Sequence, residues 1–394
     1  MSAPLAKLAG WLTPFLVTRS ALIATGYAAL TLFPAHPVES WMGLSFPDHP
    51  AIDAWIRWDS FWYESIVDPH PRFVPAYLSN ANFFPFYAWT SWVAALPFRA
   101  FLDLEHAFFA GGLIVSSASF LLGLKAVMRF TVAAAGAAVA RRTIWLIAVF
   151  PFSFFFTAVY ADALYFCLCA WSLTFAVEKR WYAACTLAAM AMMTRIPGAA
   201  LVPALGLEYL RQNNWRIGSR RQAAACLALL AIGPLVIAAY YQWRYGYALE
   251  FLRARQLGWN RASGVAGYVR DFAYFFEPPI FACAGVGDCL KEFAPTRALL
   301  GAIYLALIPA SIALAIAGAR SVGLAATTWT LASIAMALPN GFDGVGRFTL
   351  VLFPCFISLA ILLRRRVLFV GFCVACLPLL LLFFAQFARW RQVL

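Results

Sequence analysis

Charge is scarce in this chain. Asp, Glu, Lys and Arg together make up 12% of its 394 residues, against 63% hydrophobic residues, and so few polar side chains cannot cover a soluble globule of this size. Also missing are the G-x-G-x-x-G and G-x-x-x-x-G-K-[ST] loops that cradle nucleotide phosphates and the H-E-x-x-H helix of zinc hydrolases. Nucleotide-dependent and zinc-dependent enzymes therefore lack sequence support. The four histidines, His36, His49, His70 and His106, show no ligand spacing. Asp59, Glu64 and His70 are the one plausible trio for an ion, and no metal is expected. No internal repeat is visible, which tells against an inverted-repeat transporter.

What the chain does have is apolar length. Charge-free runs of 18 to 22 residues recur at Ala107 to Leu124, Gln222 to Trp243, Ala298 to Ala319, Ser321 to Phe342 and Val367 to Ala388. Each as a helix covers a hydrocarbon core about 30 Å thick. Helices fit runs of this length and barrel strands do not, so the expected fold class is an all-α polytopic membrane protein with one integral domain over 1–394. The N-terminal run, Ser20 to Val38, lacks a small-residue cleavage site and reads as an uncleaved signal anchor. The cysteines lie mostly in apolar runs, among them Cys167, Cys169, Cys226, Cys373 and Cys376, where they act as small hydrophobes.

The formal charge of +13 is explained by topology, because cytoplasmic loops of membrane proteins carry excess Lys and Arg. No nucleic-acid partner is implied. Basic clusters at Lys125 to Arg142, Glu178 to Arg180, Arg211 to Arg221, Arg320 and Arg364 to Arg366 mark the inner loops. Threading helices between them predicts about 11 transmembrane helices. Two large extracytoplasmic loops result, 34–106 and 244–296, in a protein of the inner (cytoplasmic) membrane whose active face is periplasmic or extracellular. Only Glu178 and Glu208 of the 17 acidic residues then lie inside. The charge-free stretch Phe73 to Phe98 contains Asn80, Asn82 and three prolines and is expected as a juxtamembrane or re-entrant helix. Another expected crossing spans Thr143 to Val159.

The residues fit for chemistry fall on the outer side of this topology. The segment beginning at Arg57, RWDSFWYESIVDPHPRF, sets Asp59 among Trp55, Trp58, Phe61, Trp62 and Tyr63. That composition suits either an interfacial helix whose Asp faces water or a carboxylate base held at the lipid surface. Asp162 in an aromatic run, Arg195 between two short helices and Arg347 in GFDGVGRF are ionisable groups in or beside apolar helices, placements that are costly without a function. A carboxylate with two guanidinium forks suits transfer from a phosphate-activated lipid, because Arg binds phosphate bidentately and stays charged. Snorkelling remains the alternative for each Arg taken alone. Arg19, within the first helix, either reaches inner headgroups or pairs in the bundle. Asn80, Asn82 and Tyr87 can hydrogen-bond sugar hydroxyls, or cap turns.

Taken in order, six segments resemble the PIG-V-like mannosyltransferases, the GPI mannosyltransferase II family and its bacterial relatives in the GT-C superfamily. They are RWDSFWY (Arg57 to Tyr63), SNANFFPFY (Ser79 to Tyr87), PFSFFFTAVYADALY (Pro151 to Tyr165), MTRIPGAALVPALGLEY (Met193 to Tyr209), GRFTLVLFP (Gly346 to Pro354) and FAQFARW near the C-terminus. The resemblance implies a GT-C fold and a polyprenyl-phosphate sugar donor, with no further cofactor. It also implies a lipid or glycan acceptor at the extracytoplasmic face, and Asp59 as the catalytic base. Arg347 and Arg195 are then expected to bind the donor phosphate, and Trp58, Tyr63, Glu64, Asn80, Asn82, Tyr87 and Asp162 to line the substrate site. The chain departs from the family pattern at Glu64, usually apolar and here a rival base, at Asp162, often Glu, and in the basic residues after FAQFARW.

A transporter or flippase is the alternative class, and it predicts polar residues spread through both leaflets; here they crowd one face. Cys283 and Cys289, in FACAGVGDCL, lie in the second outer loop, where oxidising conditions favour a disulfide. Alkylation without reductant should leave both thiols unlabelled in the mass spectrum, and labelled thiols would rule the bond out.

Overall fold

The computed structural model describes the backbone of residues 3–33, 43–68, 79–257, 286–338 and 344–391, and the side chains of 10–33, 43–68, 79–254, 298–338 and 344–391. His36, His70 and Cys283 and the side chain of Cys289 lie outside the described residues, and with them the expected disulfide.

In chain order the helices are α1 (Ala3–Leu32), α2 (Pro50–Asp53), α3 (Asp59–Val67), α4 (Phe86–Ala95), α5 (Leu104–Ala135) and α6 (Ala137–Val149). Next come α7 (Asp162–Val177), α8 (Trp181–Thr194), α9 (Leu201–Gln212), α10 (Arg220–Tyr245) and α11 (Glu250–Leu257). The chain closes with α12 (Val286–Val322), α13 (Leu324–Ala337), α14 (Val345–Leu350), α15 (Phe353–Leu362) and α16 (Arg366–Ala388). Among the described residues, five stretches are long and apolar enough to cross a bilayer: Gly10–Leu32, Leu104–Ala135, Arg220–Tyr245, Ala298–Val322 and Arg366–Ala388. Helices α7, α8, α13 and α15 are shorter and apolar. The chain is an integral, multi-pass membrane protein, all-helical among the described residues.

Local sequence sets the helix ends. The Asp103 carboxylate accepts from the His106 backbone N–H at 2.9 Å and caps α5, and the Ser219 hydroxyl accepts from the Gln222 N–H at 3.3 Å at the start of α10. Gly246 ends α10 in the left-handed conformation at φ +77°, where a Cβ would be strained.

The expected crossing from Thr143 to Val159 is instead broken. α6 starts earlier and stops at Val149, and the chain from Phe150 to Ala161 runs through turns with one 3-10 turn at Ser153–Phe156. Pro151 is the cause: it has no N–H to donate and forces Phe150 out of the helical region, to φ −56°, ψ 138°. Every residue of this break is buried. Irregular backbone at membrane depth survives only when protein satisfies its polar groups, and Arg19 does so here. Its guanidinium donates to the Ser153 carbonyl (3.0 Å), the Ser153 hydroxyl (2.8 Å) and the Thr157 hydroxyl (3.1 Å) and lies 4.8 Å from the Phe120 ring centre. Of the two expectations for Arg19, pairing in the bundle is the one realised. Aromatic rings complete the seal, with Phe152 against Tyr304 and Phe383 and Phe154 against Phe384 and Phe387.

The break ends at Asp162, so its path decides where that carboxylate lies. Close helix packing holds the other side: α4, at 10 residues about 15 Å long and half the depth of the hydrocarbon core, lies against α5 at Gly111. A Cβ on Gly111 would collide with the Ser91 carbonyl oxygen and stand 2.7 Å from the Ala95 nitrogen. Both are backbone atoms that cannot turn away. Gly111→Val is therefore expected to cost about 1–3 kcal/mol through overpacking, read as a lower unfolding temperature in detergent; an unchanged value would show that α4 is free to shift.

Candidate active site

Four ionisable groups from four separate elements meet. Asp59 opens α3, Asp162 opens α7, Arg195 follows the last residue of α8, and Arg347 lies in α14. Arg347 is the bridge. Its Nη1 donates to Asp59 Oδ2 at 2.7 Å, while Nη2 and Nε donate to Asp162 Oδ2 at 2.9 and 3.3 Å. Arg195 Nη1 donates to the other oxygen of Asp162, Oδ1. Two carboxylates thus stand against two guanidiniums, and the fork geometry of Arg lets one cation hold both acids. The Asp162 side chain is fully buried and Arg347 is 10% exposed, whereas Asp59 and Arg195 retain 16% and 26% exposure. Access to the cluster is therefore by way of Asp59 and Arg195.

The aromatic residues complete the frame. The Tyr160 ring lies 4.4 Å and the Phe155 ring 5.1 Å from the Arg347 guanidinium carbon, a favourable cation–π arrangement. The Tyr160 hydroxyl accepts from the Asp59 backbone N–H at 3.3 Å. Tyr63, one turn along α3, is buried against Phe83 and Tyr87. Burial pushes its phenol well up, with the nearby Arg195 cation opposing the shift, so Tyr63 faces the cluster as a neutral hydroxyl. Trp58, immediately before Asp59, has φ +49° and ψ −105°. For a bulky residue this is a strained conformation, worth about 1–3 kcal/mol, and such strain persists only where the surroundings impose it.

Among solved structures, the chain is similar to the Archaeoglobus fulgidus oligosaccharyltransferase tethered to an acceptor peptide containing the NVT sequon, with a TM-score of 0.50, 12% identity, and coverage of 96% of this chain and 55% of that one. This chain has the GT-C fold. A second structure of the same oligosaccharyltransferase, complexed with zinc and sulfate, gives a TM-score of 0.49 at 13% identity over 95% of this chain and 53% of that one. ArnT from Cupriavidus metallidurans gives 0.46 at 17% identity over 91% and 60%. The chain spans 53% to 60% of the length of these structures. No family model and no curated protein matches it.

Within this GT-C fold the other expected site residues fall into distinct places. Asn80 donates to the Ser65 carbonyl and hydroxyl at 3.1 and 3.0 Å and accepts from the Tyr245 hydroxyl at 2.7 Å. Asn82 is half-buried in the same turn. The buried Tyr87 hydroxyl donates to the Gly112 carbonyl at 3.1 Å and shares a 2.8 Å hydrogen bond with Ser116. These groups tie α3, α4, α5 and α10 together, next to the charges and not among them. Glu64 is buried, whereas Asp59 keeps an exposed edge. Asp162 accepts from both arginines with no exposed surface, an arrangement that holds the two cations in place. Tyr160 carried no separate expectation; its signal was its place two residues before Asp162, but only the broken backbone carries it to Asp59.

Replacing Asp162 by Asn leaves Arg347 paired with Asp59 alone and takes from Arg195 the carboxylate it donates to. A loss of about 3–5 kcal/mol is expected, the range for breaking a buried pair, and Asp59→Asn should lose less because Asp59 is reached by solvent. Unfolding of the two purified variants in one detergent measures the order, and the reverse order would show that Asp162 is not the anchor.

Proposed function

We propose that the chain is an inverting glycosyltransferase of the PIG-V-like kind, which moves a hexose, mannose in the reading favoured by the sequence resemblance, from a polyprenyl-phosphate donor to a hydroxyl of a lipid or glycan acceptor. Its active side is the extracytoplasmic face of the cytoplasmic membrane. The observation that carries the reading is the Asp59–Arg347–Asp162–Arg195 cluster: a partly exposed carboxylate beside two fixed cations, in a GT-C fold.

Asp59 Oδ1 takes no hydrogen bond among the described residues and accepts the proton of the acceptor hydroxyl. The acceptor oxygen forms its bond to the anomeric carbon as the bond from that carbon to the phosphate oxygen breaks, and the lipid phosphate departs with the electron pair. Arg347 and Arg195 stabilise the charge it gains. Attack opposite the leaving group inverts the anomeric centre. The lipid-linked sugar is the co-substrate, and the transfer draws on no nucleotide or metal.

The resting ion pair has a further consequence. A donor phosphate competes with Asp59 for Arg347 Nη1, so the base is released from its cation as the donor is seated. Asp59→Asn should therefore lower transfer by about 10²–10⁴-fold, the usual contribution of a general base, while binding the donor at least as tightly as the wild type. Product mass from purified enzyme with a polyprenyl-phosphate mannose, together with a donor-binding titration, measures both. Full activity would remove Asp59 from the role and promote Glu64, and lost donor binding would contradict the competition.

A further inference from the structure

Arg57 lies two positions before Asp59. Arg57 is completely buried and spends its guanidinium entirely on fixed partners. Nη2 donates to Asp53 Oδ2 at 2.7 Å, Nη1 to the Asp53 and Ile56 carbonyls at 2.6 Å each, and Nε to the carbonyl of Ala388 at 2.7 Å. Ala388 is the last residue of α16, 331 positions away along the chain. A cation at a helix C-terminus satisfies an orphan carbonyl and meets the negative end of the helix dipole. Arg57 thus joins the segment before the proposed base to the end of the C-terminal membrane helix.

The residues after that helix end close the joint. Trp390 sits with its ring 5.0 Å from the Arg57 guanidinium carbon, 5.5 Å from the Trp58 ring and stacked 5.9 Å from Phe61. Trp390 itself has φ +64°, so two tryptophans in contact are both held in backbone conformations that bulky residues avoid. Earlier on the same helix, Phe384 packs 4.2 Å from Trp55. The far end of the tether is fixed too, since Asp53 Oδ1 accepts from the Phe46 N–H at 2.9 Å. Trp58 is strained between Arg57 on one side and the Asp59–Arg347 pair on the other.

We infer that Arg57, seated on the Ala388 carbonyl and Trp390, is a positioning residue that holds Trp58 in its strained turn and so keeps Asp59 in reach of Arg347 and the acceptor hydroxyl. The inference rests on the glycosyl-transfer reading only for its kinetic consequence. Freed from Ala388, Trp58 relaxes toward an ordinary φ, and Asp59 turns away while Arg195 and Arg347 still hold the donor.

The test is Arg57→Lys in the full-length protein, which keeps a cation beside Asp53 but has no planar fork to reach Asp53 and Ala388 together. With a polyprenyl-phosphate mannose as probe, kcat should fall by at least about tenfold while KM for the donor stays within about twofold, and the unfolding temperature should change by only a few degrees. A second variant, Asp53→Asn with Arg57→Gln, removes the paired charges without stranding either and should show the same split. A wild-type kcat in both variants, or a joint loss of kcat, donor affinity and stability, overturns the role. Hydrogen exchange serves as the arm independent of activity: peptides covering 57–67 should exchange faster in Arg57→Lys, with peptides from α5 unchanged. If the wild type transfers no sugar, the glycosyl-transfer reading has failed; faster exchange confined to 57–67 would still support the tether, and unchanged exchange would overturn it.

Discussion

The structure turns on one constraint: a charge placed among apolar helices must be answered by a partner of opposite sign or by a full set of hydrogen bonds. Asp162 meets it by binding two guanidiniums, and Arg347 meets it by reaching two carboxylates. Each group makes the others tolerable. The elements that carry them, α3, α7, α14 and the turn after α8, are thereby fixed relative to one another, and the cluster is a joint of the fold as well as the proposed reaction centre.

The same constraint explains the break after α6. Pro151 ends a helix in a place where unsatisfied backbone is costly, and a single cation from α1 compensates by donating to Ser153 and Thr157. Phenylalanine rings from α5, α16 and the break itself exclude lipid and water from the irregular chain. The gain from this expensive arrangement is positional. An unbroken helix through 143–159 would carry Tyr160 and Asp162 along a straight axis, whereas the turned chain sets the Tyr160 hydroxyl against the Asp59 backbone and Asp162 against both arginines.

Exposure divides the labour in the cluster. The most buried members, Asp162 and Arg347, anchor the cluster, and Asp59 and Arg195 keep an open edge. Arg57 and Asp53 form a second, wholly enclosed ion pair nearby. It couples the turn before Asp59 to the end of α16, so the aromatic and basic residues near the C-terminus take part in the architecture of the site.

Composition and spacing alone determined the membrane class, the helical form and most helix positions, because apolar length and the absence of charge act locally and need no partner. The four charged residues of the cluster were also legible one by one, since each is an ionisable group in an apolar setting. Their division into anchors and exposed members was not. The burial of Asp162 between two arginines and the hydrogen bonds of Tyr87 and Asn80 to Gly112, Ser65 and Tyr245 join residues far apart along the chain and have no signature in its spacing. The break at Pro151 and the seat of Arg57 on Ala388 were likewise decided in three dimensions. A hydrogen bond between residues 331 positions apart leaves no periodicity in the chain, and it forms only once folding has brought both ends together.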